Sequence, residues 1–173
     1  MRRCKRGVSP LIATVLLIAF AVALGAVVMN WGKSYAQETA DTVRTKSDKD
    51  VKCSIDVSIE VAKISSTPQI CYGGGGASGY IFFIVNNAGT KEIEEIELTV
   101  IGENDVYSNS SLTNSSIAIA GSLRKNVSYS YNDYGPVKQI RLIPKIDVGG
   151  TTVACAGNAL EKDDTEITNC TSI

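Results

Sequence analysis

The residues best suited to chemistry in this 173-residue chain are five cysteines, Cys4, Cys53, Cys71, Cys155 and Cys170, and they stand in a sequence without one histidine. That absence excludes Ser-His and Cys-His nucleophilic catalysis, which need an imidazole as the base. It also makes zinc a poor fit, since no Cys-x-x-Cys pair is present either. Gly73 to Gly76 form a glycine run, but no Lys-Ser or Lys-Thr follows and the next segment reads as a strand, so a phosphate loop is rejected. The acidic residues Glu94, Glu95 and Glu97 alternate with apolar neighbours, the pattern of a solvated strand face and not of a catalytic pair. No catalytic, cofactor or metal site is therefore expected. Four Asn-x-Ser/Thr triplets, at Asn109, Asn114, Asn126 and Asn169, are candidate glycosylation sites.

These residues hang on two elements, of which the first is an apolar stretch. No charged residue lies between Arg6 and Lys33. Leu11 to Met29 is 19 residues, which as a helix spans ~28 Å, close to a bilayer's hydrocarbon core. Ser9 suits the N-cap and Pro10 the first helical position. Arg2, Arg3, Lys5 and Arg6 precede the span, so the positive-inside rule places the N-terminus in the cytoplasm and the chain after Lys33 outside. Trp31 and Tyr35 share one face and suit the outer interface. A secretory signal peptide is the rival, but its apolar region runs about 7–15 residues and ends at a small-residue site; Met29-Asn30-Trp31-Gly32 is a poor one. Gly25 and Gly32 suit close packing or a place where the helix yields.

A basic leader ending in Lys5-Arg6-Gly7, followed by Val8-Ser9-Pro10-Leu11-Ile12-Ala13-Thr14-Val15-Leu16-Leu17-Ile18-Ala19, resembles the N-terminus of archaeal type IV pilins. The resemblance covers residues 1 to about 35. It implies that a prepilin peptidase cuts between Gly7 and Val8, and that the helix stays with the mature protein as the core of a filament. The core positions would be Pro10, Leu11, Ile12, Val15, Leu16, Ile18, Phe20, Leu24 and Val28. Bacterial pilins usually carry Glu where this chain has Ile12, a position at which the archaeal branch commonly lacks the acid. Archaellins begin with a different, Gly-Ile-Gly-Thr-rich pattern. The implied partners are further copies of the chain in a helical homopolymer, the peptidase, an assembly ATPase and a membrane platform protein. The implied location is the cell membrane before assembly and an extracellular surface filament, an adhesion pilus, afterwards. A membrane-anchored binding module that never polymerises is the alternative reading, with an archaellum-type or minor pilin as a further one.

Removing the leader leaves 13 basic residues against 18 acidic ones, a net charge of about −5, which argues against nucleic acid as a partner. It also leaves four cysteines, Cys53, Cys71, Cys155 and Cys170. An even number in an oxidising compartment reads as two disulfides, with buried free thiols as the plainer alternative. Three pairings are open, and Cys155–Cys170 is favoured because both lie in the terminal segment.

The second element is a β domain. The expected division is a leader over 1–7, a membrane or core helix with stalk over 8–48, and an extracellular domain over 49–173. The helix is expected to run on as a polar stalk to about residue 46. Val51, Cys53, Ile55, Val57, Ile59 and Val61 alternate with polar residues and predict a long strand. A loop over 65–79, a buried strand over Tyr80–Val85, a turn over Asn86–Thr90 and an alternating strand over Ile93–Ile101 follow. Residues 102–114 read as polar loop, with short strands at about 115–120 and 124–131. Tyr129, Tyr131 and Tyr134 suit a contact surface or a plain strand face. Gly135-Pro136 breaks the chain, Val137–Val148 gives a strand-pair signal, and Gly149-Gly150 predicts a hairpin into Thr151–Cys155. The tail, 156–173, reads as irregular and tied back by Cys170. About seven strands predict an α+β fold: a long N-terminal hydrophobic helix, then an immunoglobulin-like antiparallel β-sandwich. Residues 80–148 also resemble, more weakly, the C-terminal domains of archaeal pilins.

Overall fold

The computed structural model describes residues 10–170, with residues 44–48 described by their backbone alone. The chain divides into two compact units, Met1–Ser47 and Asp48–Ile173. Helix α1 covers Pro10–Asp56, so its last turns belong to the second unit.

The strands of the second unit are β1 (Ile59–Val61), β2 (Lys63–Ile64), β3 (Thr67–Pro68), β4 (Ile70–Gly73), β5 (Gly79–Asn87), β6 (Glu95–Gly102), β7 (Val106–Asn109), β8 (Ser122–Tyr129), β9 (Val137–Asp147), β10 (Thr152–Ala154), β11 (Leu160–Asp163) and β12 (Thr168–Asn169), with a one-turn helix α2 (Tyr131–Tyr134). One sheet runs β1-β5-β4-β12, with β8 on β5; the other runs β10-β9-β6-β7, with β11 on β9. Strands β2 and β3 form a separate small hairpin. Pairing is antiparallel except between β12 and β4.

The two sheets share one core. Ile70, Ile81, Phe83 and Val85 from the first meet Ile96, Leu98, Val100, Ile140 and Leu142 from the second, all buried. The residues between them point outward, as a pleat of period two requires. The α+β expectation, a long helix followed by a mostly antiparallel two-sheet domain, is borne out. So is the hairpin at Gly149-Gly150: both glycines have positive φ, 66° and 83°, and Thr152 pairs with Asp147. A two-residue turn of this kind needs that backbone at both positions.

Several expectations fail locally. The polar loop expected over 102–114 holds β7, and the short strand expected at about 115–120 is a single bridge between Ile93 and Ile117. Residues 51–56 are helix, not strand. The apolar residues there have two readings: period two joins 51, 53, 55 and 57, while helical spacing joins Cys53 to Val57. The structure takes the second, burying Cys53 and Val57 with Ile146 and Cys155 and leaving Val51 and Ile55 exposed. The helix end is held from outside, because Thr90 and Lys91 donate their backbone N–H groups to the Asp56 carbonyl at 2.9 and 3.2 Å. Those contacts supply partners that a helix C-terminus otherwise lacks. Strand Tyr80–Val85 is buried only at its odd positions; Tyr80, Phe82 and Ile84 face outward and are half-buried. The tail is ordered, with β11 paired to β9 and β12 to β4.

Candidate functional site

In the first unit, the residues that the resemblance assigns to a filament core lie along α1. Leu11, Ile12, Val15, Leu16, Ile18, Phe20, Leu24 and Val28 are 50–74% exposed, and Pro10 is exposed too. The stretch is apolar on every side, with a mean hydropathy of 2.9 across its most apolar window and none of that window buried in the chain. Such a helix is long and apolar enough to cross a membrane, a property it shares with signal sequences. Thr14 donates its hydroxyl to the Leu11 carbonyl at 2.9 Å, so the polar side chain within the stretch is satisfied on its own helix. Trp31 and Tyr35 stack with ring centroids 5.9 Å apart. Gly25 and Gly32 leave a shallow apolar hollow beside Val28 and Met29. The cleavage pair Gly7 and Val8 lies outside the described residues.

In the second unit all four cysteines are bonded, Cys53 to Cys155 and Cys71 to Cys170. The favoured Cys155–Cys170 pairing is wrong. Nearness in sequence misleads because β11 turns back along β9 between the two cysteines and delivers β12 to β4, where Thr168 pairs with Cys71. Cys155 stays behind, against the end of α1. Two disulfides belong to an oxidising compartment, which suggests an extracellular location.

The tyrosine run divides between strand and helix. Tyr129 closes β8 inside the core, 1% exposed, and donates its hydroxyl to the Gly135 carbonyl at 2.9 Å. Tyr107, Tyr131 and Tyr134 pack around it with centroids 5.1–6.2 Å away. Burial, with Tyr131 and Tyr134 alongside, pushes the Tyr129 phenol up to about 12. Burial also raises Tyr131, reinforced by Tyr72 and Tyr80. This cluster is a packing core that fixes one end of the sandwich, more than a contact surface.

The four sequons differ in setting. Asn109 accepts the Ser111 N–H on its side-chain amide oxygen at 3.2 Å. Asn114 has positive φ, 52°, beside the buried Ser115, whose hydroxyl is tied to Ile96 and Leu112. Asn169 lies on β12 next to the bonded Cys170. Asn126 stands exposed in mid-strand on β8, paired with Phe82 across to β5. Sequence reasoning missed its surroundings, a groove of about 460 Å³ on the outer face of the first sheet. Phe82 forms its floor with the Arg124 guanidinium 5.1 Å from the ring centroid, and Tyr80, Ile84 and the Cys71–Cys170 bond adjoin. The signal was the outward phase of Tyr80–Val85, hidden by the unbroken apolar run.

Among the described residues no cluster of Cys, Asp and Glu side chains has the arrangement to hold a metal ion. Neither a comparison with protein-family models nor a search of curated proteins finds a match.

Proposed function

We propose that this chain is a structural subunit of an extracellular filament of the archaeal type IV pilus kind, cut between Gly7 and Val8 and polymerised through its N-terminal helix. The observation that carries the reading is the uncovered apolar surface of α1, exposed all round from Leu11 to Met29. A helix apolar on every side needs a non-aqueous surrounding. Lipid supplies it before assembly, and neighbouring copies supply it afterwards. Each large side chain moved from water into such a surrounding gains ~1.5–3 kcal/mol. Lipid is as apolar as leucine, so leaving the bilayer gains nothing from transfer alone; close packing between helices must supply it. Extraction therefore has to be coupled to assembly, by an ATPase and a membrane platform. The β domain faces solvent, and its loops set adhesion.

The test is the protein sheared from the cell surface. The expected material is filamentous and begins at Val8, and Gly7→Val abolishes both processing and filaments. Recovery only as membrane-bound monomers, unaffected by Gly7→Val, would establish the anchored binding module instead.

A further inference from the structure

We propose that Asn126 carries an N-linked glycan whose first sugars lie in the groove over Phe82 and cover the Cys71–Cys170 bond. Three observations converge on this position. The acceptor triplet Asn126-Val127-Ser128 has Asn126 and Ser128 both exposed on the outward face of β8, with Val127 turned inward. The Asn126 amide has no hydrogen-bond partner among the described residues, so its nitrogen is available for bonding. That amide also lines the groove whose floor is Phe82, the residue paired with it across the sheet.

The groove is open and of mixed character, with Phe82, Tyr80 and Ile84 beside Gln69, Arg124 and Asn126. Its size, about 460 Å³, falls within the range of small-ligand sites. Its chemistry, an aromatic ring with a guanidinium and amides at the rim, suits a sugar, which has apolar C–H faces and hydroxyl edges. The tether decides the occupant: a sugar bonded to Asn126 begins on the groove wall and needs no affinity of its own to remain there. Strand β8 is an edge strand, paired to β5 alone, and a bulky group on it also discourages pairing with a foreign strand.

The reaction requires an oligosaccharide linked to a lipid phosphate, with a membrane transferase. The Asn126 amide nitrogen attacks the anomeric carbon, the C–N bond forms, and the sugar–phosphate C–O bond breaks. The lipid phosphate leaves with that electron pair, and the amide gives up one proton to a base. No oxidation state changes. The inference rests on the part of the proposed function that puts the β domain outside the cell, and is independent of polymerisation.

The experiment uses full-length protein recovered from the cells that make it, from membrane and sheared fractions alike. Mass spectrometry of the tryptic peptide 126–138 should show sugar fragments and a mass above that of the bare peptide. Asn126→Gln and Ser128→Ala, the second keeping the asparagine, should both give the bare mass. In both variants Cys71–Cys170 should be reduced by a small thiol several-fold faster than in the parent, with Cys53–Cys155 unchanged. A bare 126–138 peptide in the parent protein would overturn the proposal, as would a glycan whose loss leaves the Cys71–Cys170 reduction rate unaltered. Sugar on membrane-bound monomers with no filaments would sustain this inference while sinking the filament.

Discussion

Asn87 shows how much one side chain organises in the β domain. It is 2% exposed, and its amide nitrogen donates to the carbonyls of Lys91, Ile117 and Ala118 while its oxygen accepts the Gly89 N–H. Replacing it with alanine strands buried carbonyls, so Asn87→Ala should destabilise the domain by about 2–4 kcal/mol, read from denaturant midpoints. Tyr129 predicts a pH dependence. Its phenol titrates near 10 when unfolded and at about 12 when folded, so its contribution is intact below pH 10 and is lost as pH rises through about 12. Over that window the parent should lose on the order of 2–3 kcal/mol more than Tyr129→Phe, and below pH 10 the variant should itself be less stable by about 1–3 kcal/mol through the orphaned Gly135 carbonyl. Sequence alone marked residues 86–90 as a turn. It could not mark Asn87 as the hub, because two of its partners lie about thirty residues downstream.

At the level of elements, pattern spoke where only one period fitted. Ile96, Leu98 and Val100 alternate cleanly with Glu95, Glu97 and Thr99, and β6 buries them while Glu95 and Glu97 stay outside near Lys145, at 3.9 and 3.8 Å. Residues 51–57 fit two periods, and the choice fell to contacts far along the chain: Cys155, Ile146 and the backbone of Thr90 and Lys91. The same remoteness hid the disulfide pairing. Bridges closing separations of 102 and 99 residues should each contribute about 3–5 kcal/mol, mainly by restricting the unfolded chain. Cys53→Ser with Cys155→Ser should therefore lower the domain's unfolding free energy by that amount. It should also increase amide hydrogen exchange most strongly in the last turns of α1, residues 49–56. Equal exchange there in parent and double variant would show that the helix end is held by its backbone contacts alone.

On the scale of the molecule, the helix was legible because a bilayer-length apolar run has so few structural readings, whereas the groove over Phe82 needed four strands and a disulfide to exist. The single chain leaves two surfaces uncovered, the apolar helix and the groove over Phe82; the proposed filament would cover the first and the proposed glycan the second. The two bridges have a consequence for durability. Their spans interleave, Cys53 to Cys155 and Cys71 to Cys170, so a protease nick at any one peptide bond between residues 53 and 170 leaves both fragments bolted together. The exposed Gly74–Ser78 loop can be cut without anything being shed. Only a cut upstream of Cys53 frees the domain from its rod, and non-reducing electrophoresis of digested protein should show one undivided band for every other single break.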